Sequence, residues 1–77
     1  MRTYSYVKML VDGKETATLD IIRIGNTFSV YEYDVVVFVG SHGQVVDYIN
    51  KWIDAKEDIR NYLETAGHTV DFIQLIK

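Results

Sequence analysis

Hydrophobic and polar residues change their spacing twice along this chain. From Thr3 to about Tyr33 they alternate in short runs, the period of two that belongs to strands. Thr3–Val11 and Thr16–Ile24 are separated by Asp12-Gly13, a strong hairpin dipeptide. Gly25-Asn26 marks a second tight turn before Thr27–Tyr33. From Ser41 to Gly67 the spacing widens. Val45, Ile49, Trp52, Ile59, Leu63 and Ala66 keep to one face of a helix, with Lys56 the exception in that row. Ser41 and Gln44 form a capping-box pair, and Gly67 stands where a left-handed residue ends a helix. His68–Lys77 returns to a strand pattern. Phe72, Ile73, Leu75 and Ile76 fill both of its parities, which predicts cover on both sides.

Two places leave alternatives open. Tyr31-Glu32-Tyr33-Asp34 runs into Val35–Val39 with the acids in phase with Val36 and Phe38. A bend or bulge near Asp34 would re-phase the chain and yield a fourth strand. Asp54-Ala55-Lys56-Glu57 reads as a second capping box, so the helix is either continuous or kinked near Asp54. The pattern predicts an α+β fold: an antiparallel β-meander of three to four strands, one long or kinked helix on one sheet face, and a C-terminal strand. Residues 1–77 form a single domain.

Register assigns the faces. A two-residue loop at Gly25-Asn26 sets Ile24 opposite Thr27, Arg23 opposite Phe28, Ile22 opposite Ser29 and Ile21 opposite Val30. Regular pairing in the first hairpin then gathers Tyr4, Tyr6, Leu10, Ala17, Leu19, Ile21, Phe28 and Val30 on the face expected beneath the helix. The other face collects Val7, Met9, Val11, Ile22, Ile24, Tyr31 and Tyr33. A single helix covers only one side, so these seven residues are the predicted partner-binding surface.

Composition narrows the function. The chain has 77 residues, and a domain this short hides only about 60–65% of its unfolded surface. It has no cysteine for a disulfide or a thiolate metal site. Eight basic against eleven acidic residues leave a net charge of −3, with the bases scattered, which disfavours nucleic acid. No apolar run approaches the ~20 residues of a membrane span, and no leader segment is present, so the expected location is the cytoplasm.

Candidate chemistry is sparse. Gly40, Ser41, His42 and Gly43 lie at the helix start, where backbone N–H groups can hold an anion. The same residues are also what a turn and a cap require. His42 and His68 have no companion ligands in sequence, and Glu32 with Asp34 suits an edge guard better than a catalytic pair. Asp47, Lys51, Asp58 and Arg60 read as the solvated side of the helix, and Trp52 as core. No nucleophile–base pair, metal cluster or cofactor loop is recognisable. The expectation is a non-enzymatic, cofactor-free module that binds another protein as an adaptor or inhibitor, of the kind carried by phages and other mobile elements. A homodimer through the seven-residue face, or through the edge of the final strand, is the expected assembly. The alternative is an anion- or nucleotide-binding protein using Gly40–Gly43.

Overall fold

The computed structural model describes the backbone of residues 2–75 and the side chains of residues 5–74. Its elements run β1 (Arg2–Val11), β2 (Lys14–Ile24), β3 (Thr27–Glu32), β4 (Val35–Gly40), α1 (His42–Thr65) and β5 (Val70–Leu75). The five strands form one antiparallel sheet in the order β4-β3-β2-β1-β5, with α1 on one face. The α+β class expected from the sequence is therefore the class observed, with four meander strands. The placement of Tyr4, Leu75 and Ile76 side chains on particular faces lies outside the described residues.

Tight turns generate the meander. Asp12 and Gly13 adopt φ of 53° and 80°, the left-handed pair that a two-residue hairpin loop needs. Gly25 supplies a φ of 63° at the next turn, and the β2–β3 register has Ile24 opposite Thr27 and Ile21 opposite Val30, as the loop length predicts. The break near Asp34 is a turn. Tyr33 and Asp34 take φ of 51° and 64°, an uncommon conformation for residues with a Cβ, and separate β3 from β4. A bulge does occur, but further on: Val30 pairs with Phe38 and Tyr31 with Val36, leaving Val37 extra.

A second bulge corrects the predicted faces. Leu10 pairs with Glu15, but Met9 pairs with Ala17, so Thr16 is the additional residue on β2. The Thr16 hydroxyl donates to the Met9 carbonyl oxygen at 3.2 Å. A one-residue slip exchanges the faces of a whole strand. Val7 now lies opposite Leu19 and Ser5 opposite Ile21, so Val7 and Met9 point toward the helix while Tyr6, Lys8 and Leu10 point away. Lys8 is the signal in the sequence: a charge in the middle of the even-numbered row marks it as the row that meets water.

The core has two parts. Val7, Leu19, Ile21 and Val30 pack against Val45 and Ile49 of α1, flanked by Phe28, Phe38, Tyr48 and Ile53. Met9, Ala17 and Val70 form the second part with Val11, Leu63 and Phe72. Trp52 touches both, and its indole N–H donates to Glu32 Oε2 at 3.1 Å.

The helix is one continuous element. Ser41 and Gln44 close a reciprocal capping box, with the Ser41 N–H donating to Gln44 Oε1 at 2.9 Å and the Gln44 N–H to Ser41 Oγ at 3.4 Å. At the other end the His68 N–H donates to Leu63 O and the Gly67 N–H to Glu64 O, a Schellman ending with Gly67 at φ 96°. The predicted face drifts in the second half. Ile59 and Ala66 are exposed, whereas Lys56 and Arg60 are half-buried. Their charged ends lie 5.4 Å from the Trp52 ring centroid and 5.8 Å from that of Phe72. Their aliphatic stems cover apolar surface while the heads reach water.

β5 departs from expectation too. It pairs only with β1 and is an edge strand, so Ile73 on the side away from the helix is exposed instead of covered.

Candidate partner-binding surface

Opposed residues in paired strands share a face, so the register maps the side of the sheet that α1 leaves open. Ile22, Ser29 and Val39 form one row across β2, β3 and β4. Asp20, Tyr31 and Val36 form the next. Ile22 and Tyr31 are half-buried by their neighbours, while Val36, Val39 and Ile24 are exposed. These five apolar residues are contiguous at the β4 side of the open face. Leu10 and Ile73 add smaller apolar area on the β1–β5 side.

The rest of that face is polar. Lys8 Nζ lies 3.2 Å from Glu15 Oε1 and 4.8 Å from the Tyr6 ring centroid. The Thr18 hydroxyl donates to Glu15. That hydrogen bond, followed by the one from Lys8, holds the Glu15 carboxyl below its ordinary range. Lys8, Glu15, Thr16, Thr18, Asp20, Tyr33 and Asp34 surround a shallow depression of about 350 Å³. The Tyr33 hydroxyl donates to the Thr16 carbonyl oxygen at 3.0 Å, tying the β3–β4 turn to the β2 bulge.

The seven residues predicted as a partner surface are thus divided. Ile22, Ile24 and Tyr31 lie together on the open face. Tyr33 sits in the turn beside it. Val7 and Met9 are buried in the core, and Val11 packs into the second core cluster, so these three do not belong to that face. Val36 and Val39 take their place. Their only signal in the sequence is the uncharged run from Val35 to Val39, which must present some residues to each face.

The helix-start residues are occupied by structural tasks. A Cβ on Gly40 would lie 2.6 Å from Gln44 Oε1, so the glycine permits the capping box to close against β4. The Ser41 hydroxyl accepts from Gln44, and the His42 ring meets Phe28 edge-on at 5.5 Å. The sheet also brings Arg23 here, its guanidinium 5.6 Å from the Phe28 centroid and its Nε–H donating to Gly25 O at 2.8 Å. Arg23, Asn26, Phe28, Ser41 and His42 line an open cleft of about 360 Å³. The pairing of Arg23 with Phe28, and of Phe28 with Gly40, is what assembles it.

His68 and Asp12 make a separate polar link at the far end. His68 Nδ1 lies 2.7 Å from Asp12 Oδ2, and the Thr69 N–H donates to Asp12 Oδ1 at 2.9 Å. The Asp12 N–H donates to Thr69 O in return. The Thr69 bond, then the His68 bond, lowers the Asp12 carboxyl from its ordinary value. This link joins the first hairpin to the start of β5. Among the described residues no helix is long and apolar enough to cross a membrane.

The chain was compared with protein-family models, with curated proteins and with solved structures, and it matches none of them.

Proposed function

We propose that this protein is a small, non-enzymatic cytoplasmic module that binds another protein through the open face of its sheet, as an adaptor or an inhibitor. One observation carries the reading: Ile22, Ile24, Tyr31, Val36 and Val39 form a contiguous apolar group that the single helix leaves uncovered. Apolar patches of this kind are uncommon on a monomer without a contact role, and a tyrosine at the centre of a patch is typical of protein interfaces. The polar group around Lys8, Glu15 and Thr18 beside it resembles the hydrated rim such contacts carry. The acidic net charge and scattered bases make nucleic acid a poor fit.

Affinity capture on the immobilised chain tests this. Wild type and Asp58→Lys retain the same protein from the source cells, and Ile22→Glu loses it while keeping its circular dichroism spectrum. Recovery of nucleic acid alone, or retention unaffected by Ile22→Glu, contradicts the reading. A second reading, anion binding at Gly40–Gly43, is favoured by one observation, the arrival of Arg23 in the cleft that Ser41 and His42 line. Phosphate or nucleotide binding there would give saturable amide shifts confined to Arg23, Asn26 and Gly40–Gln44.

A further inference from the structure

We propose that two copies of this chain associate about a two-fold axis by antiparallel pairing of β4 with β4, joining the two five-stranded sheets into one, with the helices side by side above the seam. This goes beyond the protein-binding reading, because it concerns the edge of the sheet and leaves the open face free.

The first ground is the character of the edge. β4 ends the sheet, so one side of its backbone has no strand partner among the described residues. Natural edge strands are guarded by charges, proline or bulges. β4 reads VVVFVG, with no charge and no proline, and its one irregularity is the bulge at Val37. Val35, Val36 and Val39 are 62%, 49% and 54% exposed. The opposite edge differs: β5 carries Asp71 in its sequence VDFIQL, and Arg60 reaches over its Phe72.

The second ground is that β4 suits its own copy. A two-fold axis opposes identical strands, and β4 contains no charge to be set against itself. Val36 lies opposite Tyr31 and Val39 opposite Ser29, both on the open face. A register that places Val36 of one copy opposite Val39 of the second keeps the faces matched. It also sets Val35 against Gly40, both on the helix side, since Val35 pairs with Glu32 and Gly40 with Phe28. The bulged Val37 then falls beside the axis, opposite Phe38 of the second copy, and regular pairing is carried by Val35, Val36, Val39 and Gly40 on either side.

The third ground is the helix. Tyr48 stacks on Phe38 at 4.9 Å, and Phe38, Gln44, Asp47, Tyr48 and Lys51 line a cleft of about 190 Å³ between α1 and β4. Among the described residues neither Asp47 nor Lys51 forms an ion pair in its own chain. Helices related by this axis run antiparallel. Asp47 of each copy therefore approaches Lys51 of the other, giving two opposite-charge pairs that no unrelated strand would supply. A face-to-face dimer of the open faces has no such match, and it would bury Lys8, Glu15 and Asp20.

Sedimentation velocity on the full chain tests the proposal. Wild type sediments at twice 8.9 kDa at high micromolar concentration and dissociates on dilution. Asp47→Lys and Lys51→Asp each place like charges opposite one another twice and raise the dissociation constant about tenfold or more. Mixing those two variants restores a dimer of one of each, because both cross-pairs are then opposite in charge. Ile22→Glu dimerises like wild type even where it abolishes partner capture, which separates this proposal from the reading of the open face. Two results overturn it: a wild-type monomer at every concentration, or a dimer indifferent to both charge reversals, whether or not Ile22→Glu dissociates it.

Discussion

On one face of the sheet Val7, Leu19 and Val30 are closed off from water beneath the helix; on the other, Ile22, Tyr31, Val36 and Val39 of the same or neighbouring strands remain open to it. The two sets differ little in residue type. What separates them is the cover that a single helix provides. Burial of the inner set supplies the hydrophobic term that holds a chain of this size together. The outer set contributes far less to folding, since its area is only partly removed from water. In the proposed reading, this uncovered set serves contact with a partner protein.

The largest expected effect is on the inner face. Leu19→Ala should cost about 2–5 kcal/mol, through lost burial and a residual cavity. That is a large part of the stability of a small domain, so the variant should be substantially unfolded. Ile22→Ala, three residues away on the other face, should cost about 1 kcal/mol or less. Urea unfolding followed by Trp52 fluorescence measures both, and equal losses would mean that the outer face is covered as well. A smaller loss, about 1–2 kcal/mol, is expected for Trp52→Phe, which leaves the Glu32 carboxylate without its indole donor and thins the contact between the two core clusters. Thermal unfolding of Trp52→Phe alongside Leu19→Ala should place it between the two faces.

The difference between the faces is only half legible in the sequence. Pairing of β2 with β3 follows from the two-residue turn at Gly25-Asn26, so Ile21, Val30, Ile22 and Tyr31 are assigned to their faces by register alone. The helix ends are legible for a similar reason: Ser41 with Gln44, and Gly67, are local chemical solutions to unpaired backbone groups. β1 is another matter. Its odd and even rows both carry apolar residues, so its phase depends on the bulge at Thr16, and its one mark in the strand itself is Lys8 in the even row. That single extra residue carries Val7 and Met9 into the core and removes them from the expected partner surface. In the same way the bulge at Val37 hides the fact that Val36 and Val39 face outward together. Arg23 beside His42 depends on the β3–β4 register as well as on the β2–β3 turn, and that register is shifted by the bulge at Val37. In the second half of the helix, Lys56 and Arg60 serve as covering residues through their stems, which a count of apolar letters passes over.

The smallest effect concerns the link that fastens the end of the inner face, where Asp12 meets Thr69 and His68. The Asp12 carboxyl is lowered from 3.8 in the folded chain by the Thr69 N–H bond first and His68 second. A depressed folded value favours folding above pH 3.8, and the contribution is lost as pH falls through the folded value. Asp12→Asn should therefore melt slightly below wild type at neutral pH, and the two melting temperatures should converge in acid. A gap that widened as pH fell would show that Asp12 acts in some other way.

The contrast between the faces leads to one decisive measurement, site-specific photo-crosslinking in the source cells with the probe placed at Ile22 or at Tyr62. Tyr62 lies on the outer side of the helix and is 76% exposed, more than the half-buried Ile22, so indiscriminate surface contact would favour it. The account predicts a discrete adduct with a second protein species from Ile22 and none from Tyr62. Adducts from Tyr62 with none from Ile22, or an absence of protein adducts at both positions, would contradict the assignment of the open sheet face as the partner-binding surface.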